Sequence, residues 1–302
     1  MERHLQRGLW PVDWLILSYL LAICLLIGGF RQQIDFAGPL LLAHFAAAGL
    51  IILYALWPDT PGAFYFRHVY PLPYVFACYR IMAMLIRSVR EARFDAMLTA
   101  WDQALWRVPP TVWLERVQSP LLTEILQIIY SLFVPVVLAV AIILWVRQRE
   151  DVRSYAFLLT LGFLVSYALY FVVPARGPRI FLDGLQTQPL TGLWLFAPLR
   201  NGLDLLESPH YDCFPSGHVE ITILAWWTAR RISNRLSAIY LGYVVLTVLA
   251  TVYLRYHYSV DLLAGVFVAA LVLVAAPYLE RALLQRERQF RDEQTPDFAR
   301  SK

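Results

Sequence analysis

Apolar residues gather into six long runs, at 12–29, 38–57, 121–146, 154–174, 235–254 and 258–279, divided by shorter stretches in which the arginines collect. About 20 mostly apolar residues cross the hydrocarbon of a bilayer as a helix, so each run predicts one membrane span. Two runs are weaker. Residues 70–86 hold Arg80 and two prolines, and 216–230 carries His218 and Glu220. If both cross, the chain is an all-α polytopic bundle of about eight transmembrane helices, with both termini on the same side.

Composition sharpens this picture. The 302 residues are 59% hydrophobic and 16% charged, with a mean hydropathy of +0.53, whereas soluble domains are roughly half apolar and a quarter charged. That excludes an ordinary cytosolic enzyme, and the recurring aromatic and apolar runs exclude a disordered chain. The net charge of +4 comes from arginine, since Lys302 is the sole lysine. These charges sit in short loops between apolar runs, the pattern of a topology signal and not of a face that tracks nucleic acid. Cys24, Cys78 and Cys213 lack the spacing of a zinc site or a disulfide framework.

In the eight-helix arrangement, the N-terminus, the loops near 67, 147–153 and 230–235 and the C-terminal tail collect 15 arginines and lysines, and the opposite side 10. The excess places both termini in the cytoplasm. The loops 87–120, 175–215 and 255–258 then face outward, and the expected setting is a bacterial inner membrane with these loops in the periplasm. Arg3 and Arg7 ahead of the first run imitate a signal peptide, but 18 apolar residues with no small-x-small site after them read as a retained span. Between 87 and 118, charged residues interleave with Phe94, Trp101 and Trp106, which predicts an amphipathic segment in the interface plane. The division expected is 1–120, N-terminal helices plus this segment; 121–280, a catalytic core; and 281–302, a cytoplasmic tail.

Ionisable groups beside a span are costly, so each is a functional candidate. His257 and Asp261 are four residues apart at the start of the last run; on a helix they share a face, and the carboxylate can hold Nδ1–H while Nε2 points away as nucleophile or base. A purely structural His–Asp pair is the alternative. His218 follows Phe214-Pro215-Ser216-Gly217 at the start of an apolar run, where a helix N-terminus offers free amides to an anion, Ser216 a hydroxyl, and Gly217 close backbone approach. The conjunction points to phosphoryl transfer. No carboxylate cluster lies near these motifs, so no metal ion or other cofactor is expected. His44 is expected to bond a neighbouring helix, His68 and His210 to lie in loops or the interface, Glu220 to make a helix-interior hydrogen bond, and Cys213 to be a bystander.

Phe-Pro-Ser-Gly-His218 and, about forty residues on, His257-x-x-x-Asp261 resemble in order and spacing the second and third signature motifs of the type 2 phosphatidic acid phosphatase superfamily, which also contains the vanadium haloperoxidases. The resemblance implies a six-helix catalytic core in which His257 attacks phosphorus to give a phosphohistidine, Asp261 orients it and His218 protonates the leaving oxygen. The chain departs from the pattern in two places. No lysine can fill the family's first motif, and Thr251 stands where the third motif has arginine six residues before the nucleophile. Arg176, Arg179 and Arg255 are the remaining outer-loop candidates to hold phosphoryl oxygens, each open to a plain snorkelling role.

The departures, together with Asp95-x6-Asp102, Pro109-Pro110 and Gln127-x2-Tyr130, resemble the inositol phosphorylceramide synthase branch, which implies that Asp102, Gln127 and Tyr130 line or brace a headgroup site. The expected partner is a phosphorylated lipid in the membrane, with water or an alcohol as acceptor. Lipid phosphatase and phospho-headgroup transferase both stay open. A catalytically silent relative acting as lipid transporter or scaffold is the alternative of a different class. The sequence leaves the oligomeric state unknown.

Overall fold

The computed structural model describes residues 8–56, 66–91, 93–147, 151–207 and 211–294, apart from the side chains of Glu207 and of 286–294. It is helical throughout, with no strand among the described residues. The principal helices are α1 Pro11–Gly29, α2 Ala37–Leu56, α3 Pro71–Val89, α4 Asp95–Trp106, α5 Pro120–Ser131, α6 Phe133–Arg147, α7 Asp151–Val172, α8 Phe196–Glu207, α9 Gly217–Ile232, α10 Asn234–Tyr253 and α11 Ser259–Gln294. Among the described residues, six (α1, α2, α3, α7, α10 and the first 27 residues of α11) are long and apolar enough to cross a membrane, and α5 with α6, bent by 44° at their junction, makes a seventh span. The protein is therefore a multi-pass membrane protein. The weak run at 70–86 is one of the six, as α3. The second weak run is α9, shorter at 16 residues and packed between α7, α10 and α11.

Local chemistry sets the helix ends. Proline stands at the first helical position of α1, α3 and α5, where its missing N–H costs nothing. The hydroxyls of Ser119 and Ser233 cap α5 and α10 by accepting from Leu122 N and Leu236 N at 3.3 and 3.2 Å. Within the bilayer, apolar side chains gain nothing by leaving lipid for protein, so small residues that admit close backbones decide the packing. Ala225, Ala229, Ala250 and Ala269 are all fully buried between helices, while Leu21, Leu25, Leu42, Ile142, Val146 and Leu263 face outward.

Histidine placement corrects one expectation. His44 Nδ1 pairs at 2.7 Å with the carbonyl of Leu40, one turn back on its own helix, and not with a neighbour; mid-span, that is the nearest acceptor. His68 packs edge-on to Trp10 and Trp145. His210 lies outside the described residues.

Candidate active site

Described residues of the connections 173–216 and 254–258, with Tyr130 of α5, line a small cavity of about 30 Å³ at one end of the bundle. The chain reaches it through the end of α10. Arg255 N and Tyr256 N donate to the carbonyls of Val252 and Thr251, both at 3.0 Å, which is the Schellman termination. That motif needs a left-handed residue, usually glycine; here it is Arg255, at φ 67°. The reversal turns Tyr256 and His257 back over the bundle end. Arg255 is held there by an ion pair with Glu115 at 2.9 Å and a bond to the Gln188 carbonyl at 2.6 Å. Burial draws its guanidinium below the ordinary value, and Glu115 opposes that shift.

His257 is buried, two residues before α11, so the pairing with Asp261 is not the helix-face stacking that the spacing suggests. Asp261 occupies the first turn of α11, where Oδ2 accepts from Tyr258 N at 2.8 Å. Its distance to His257 Nδ1 is 3.4 Å. The nearer acceptor for Nδ1 is the Cys213 carbonyl, at 2.8 Å. Cys213 is thus no bystander: its carbonyl takes the imidazole and its thiol donates to Asp261 Oδ2 at 2.8 Å. Burial, then the charge of Asp261, raises the thiol well above its usual range, which keeps the proton on sulfur. Nothing in residue spacing could reveal this, because Cys213 and Asp261 are 48 positions apart.

His218 enters on the first turn of α9 after the cis Phe214–Pro215 peptide. Its ring stacks on Tyr130 at 4.2 Å between centroids, Tyr130 stacks in turn on Tyr256 at 4.3 Å, and the two histidine rings lie 6.3 Å apart. Tyr130 Oη is 3.4 Å from His218 Nδ1. The two nearby helix starts differ. At α11 the amides of Ser259 and Val260 are taken by the Asp102 carboxylate, each at 3.0 Å; at α9, among the described residues, no side chain caps the end. The anion-attracting terminus is therefore that of α9. Ser216 is fully buried with its Oγ unpartnered among the described residues, and its N donates to the Asp261 carbonyl at 3.0 Å. A Cβ on Gly265 of α11 would stand 2.6 Å from the Ser216 carbonyl, so only glycine lets α11 approach this loop.

Arg176, Arg179 and Arg255 all line the cavity, together with His257, Tyr130 and Tyr256. Arg179 is paired with Asp204 at 2.8 Å and lies over the Tyr256 ring. Arg176 is exposed, and its backbone N, with that of Gly177, donates to Asp95 at 2.9 to 3.0 Å. Asp95 and Asp102, seven apart on α4, thus hold the arginine loop and the start of α11. Asp102 works on that backbone and not on the cavity. Gln127, fully buried, sits behind Tyr256, whose hydroxyl donates to its Oε1 at 3.5 Å. Glu220 accepts from Ser166 of α7 in the bundle interior. Asp212, which sequence reading passed over, also lines the cavity and accepts from Tyr79 at 2.8 Å.

The PAP2 superfamily signature matches residues 96–275, more than half of the chain, and the chain belongs to that superfamily. A PA-phosphatase related-family protein of Dictyostelium discoideum is 26% identical over 115 residues, which is 37% of this chain and 21% of that protein. The chain thus matches about a fifth of this relative's length. No solved structure matches significantly.

Proposed function

We propose that the protein is a lipid phosphoryl-transfer enzyme working through a phosphohistidine at His257, at the outward end of the bundle, with both termini cytoplasmic. The observation that carries this reading is the meeting of two imidazoles, 6.3 Å apart, one of which, His257, lines a cavity with three arginines. His257 Nδ1 is committed to the Cys213 carbonyl and Asp261, so Nε2 carries the lone pair that attacks phosphorus. The bond to the lipid oxygen breaks as His218 delivers its proton to that oxygen. Water or an alcohol then attacks the phosphohistidine, gives its proton to His218 and frees His257. Arg176, Arg179 and Arg255, with the uncapped amides of α9, carry the charge on the phosphoryl oxygens. In this reading residues 121–280 form the catalytic core, braced by α4, and the tail after 280 lies in the cytoplasm.

The acceptor decides between hydrolysis and headgroup transfer. Transfer of the inositol phosphorylceramide synthase kind is supported by a cavity whose cations are arginines with no lysine among them, and by Tyr130 and Gln127 in and behind its wall. The test is purified protein in detergent with chelator and a radiolabelled lipid phosphate, scored for free phosphate against new phospholipid. His257→Ala should abolish both products, and His218→Ala should slow them by about 100- to 10,000-fold. Turnover that survives in both variants rejects the mechanism, and absence of turnover in the wild-type protein favours a silent transporter or scaffold.

A further inference from the structure

Cys213, His257 and Asp261 are all buried, and one ligand-capable atom of each lies within 4.8 Å of the other two. The three edges are 2.8 Å from Sγ to Oδ2, 3.4 Å from Nδ1 to Oδ2 and 3.8 Å from Sγ to Nδ1. Zinc bonds thiolate at about 2.3 Å and imidazole or carboxylate at about 2.0–2.2 Å, so its tetrahedral ligands stand roughly 3.4–3.6 Å apart. Two of the edges are already within a few tenths of that spacing. The third is short because a thiol proton joins sulfur to oxygen, and it opens when that proton leaves. A second feature marks the same carboxylate: Asp261 Oδ1 is fully buried and has no hydrogen-bond partner among the described residues. Cys213 and His257 both line the cavity, which gives an ion its way in.

We propose that these three side chains form an inhibitory site for a thiophilic divalent cation of the zinc type. The inference rests on His257 Nε2 being the attacking atom. When the ion binds, the Cys213 thiol releases its proton to solvent and sulfur bonds the metal. Nδ1 of the neutral imidazole gives its lone pair to the same metal, and the proton it carried moves to Nε2. The nucleophilic lone pair is then gone, with no change in the shape of the cavity. Magnesium, which demands six oxygens in octahedral array, does not fit this donor set.

The experiment uses full-length protein, chelator-stripped, in detergent. Cobalt(II) should give a near-ultraviolet thiolate charge-transfer band at one ion per chain. Zinc should displace it and stop turnover, and magnesium should do neither. Cys213→Ser and Cys213→Ala should lose the band and raise the half-inhibiting zinc concentration by roughly 10- to 100-fold relative to each variant's own zinc-free rate, while Cys24→Ser and Cys78→Ser keep both. Melting curves distinguish a lost site from an unfolded variant, and the wild-type band itself requires no variant. Turnover that depends on His257 with no thiolate–cobalt band overturns the metal site and leaves the nucleophile standing. A band lost in Cys213→Ser, with turnover indifferent to zinc, overturns the inhibition and the nucleophile assignment together.

Discussion

Two buried aspartates, one at each end of the bundle, are built alike and satisfied differently. Asp13, in the first turn of α1, accepts from Trp10 N at 2.7 Å and from Arg67 at 2.8 Å on one oxygen, and from the Tyr70 hydroxyl on the other. Asp261, in the first turn of α11, accepts on Oδ2 from Tyr258 N and the Cys213 thiol, while Oδ1 takes nothing from the described residues. Asp13 faces a permanent cation. Asp261 faces an imidazole whose charge depends on its chemistry. A carboxylate buried for stability saturates both oxygens, because each unsatisfied polar atom inside a bundle costs free energy. In the proposed mechanism, the under-satisfied Asp261 holds its field in reserve for the moment the His257 ring becomes positive on bonding to phosphorus.

The widest separation between the two ends should come from their own substitutions. Asp13→Ala leaves the buried Arg67 guanidinium without its carboxylate, which costs about 3–5 kcal/mol; melting in detergent should fall sharply while the rate per folded molecule holds. Asp261→Asn should invert this, with melting nearly unchanged and turnover reduced on the order of 10⁴-fold. If both variants lose stability alike, the contrast is wrong. A smaller effect is expected at Gly265, where alanine drives a methyl into the Ser216 carbonyl. Overpacking of that kind costs about 1–3 kcal/mol, and because the contact is with the loop carrying His218, turnover should fall more than melting. Asp102→Ala should have the least effect, about 0.5–2 kcal/mol for a lost helix cap, and the amides of Ser259 and Val260 should exchange faster by hydrogen-exchange mass spectrometry.

Part of this site can be read directly from the chain. His218, His257 and Asp261 stand out because an ionisable residue inside or beside an apolar run has no cheap explanation, and the three arginines are legible only as cations in loops on the same side as those motifs. Tyr256 and Asp212 are different: an aromatic or acidic residue in a loop carries no signal until something stacks on it. Asp95 and Asp102 show both sides at once. Their seven-residue spacing places them on one face of α4, yet their targets, the amides of 176–177 and 259–260, lie some 80 to 160 positions away.

The apolar runs by themselves determined the helical class, the crossings and the end of the bundle at which the histidines gather, because bilayer thickness fixes how long a span must be and each crossing reverses the chain. Tertiary structure decided what holds each histidine. The Cys213 carbonyl, the Tyr130 ring and the Glu115 carboxylate reach the site from distant segments, and a hydrogen bond of 3 Å depends on where two backbones meet in space, a quantity that local periodicity does not encode.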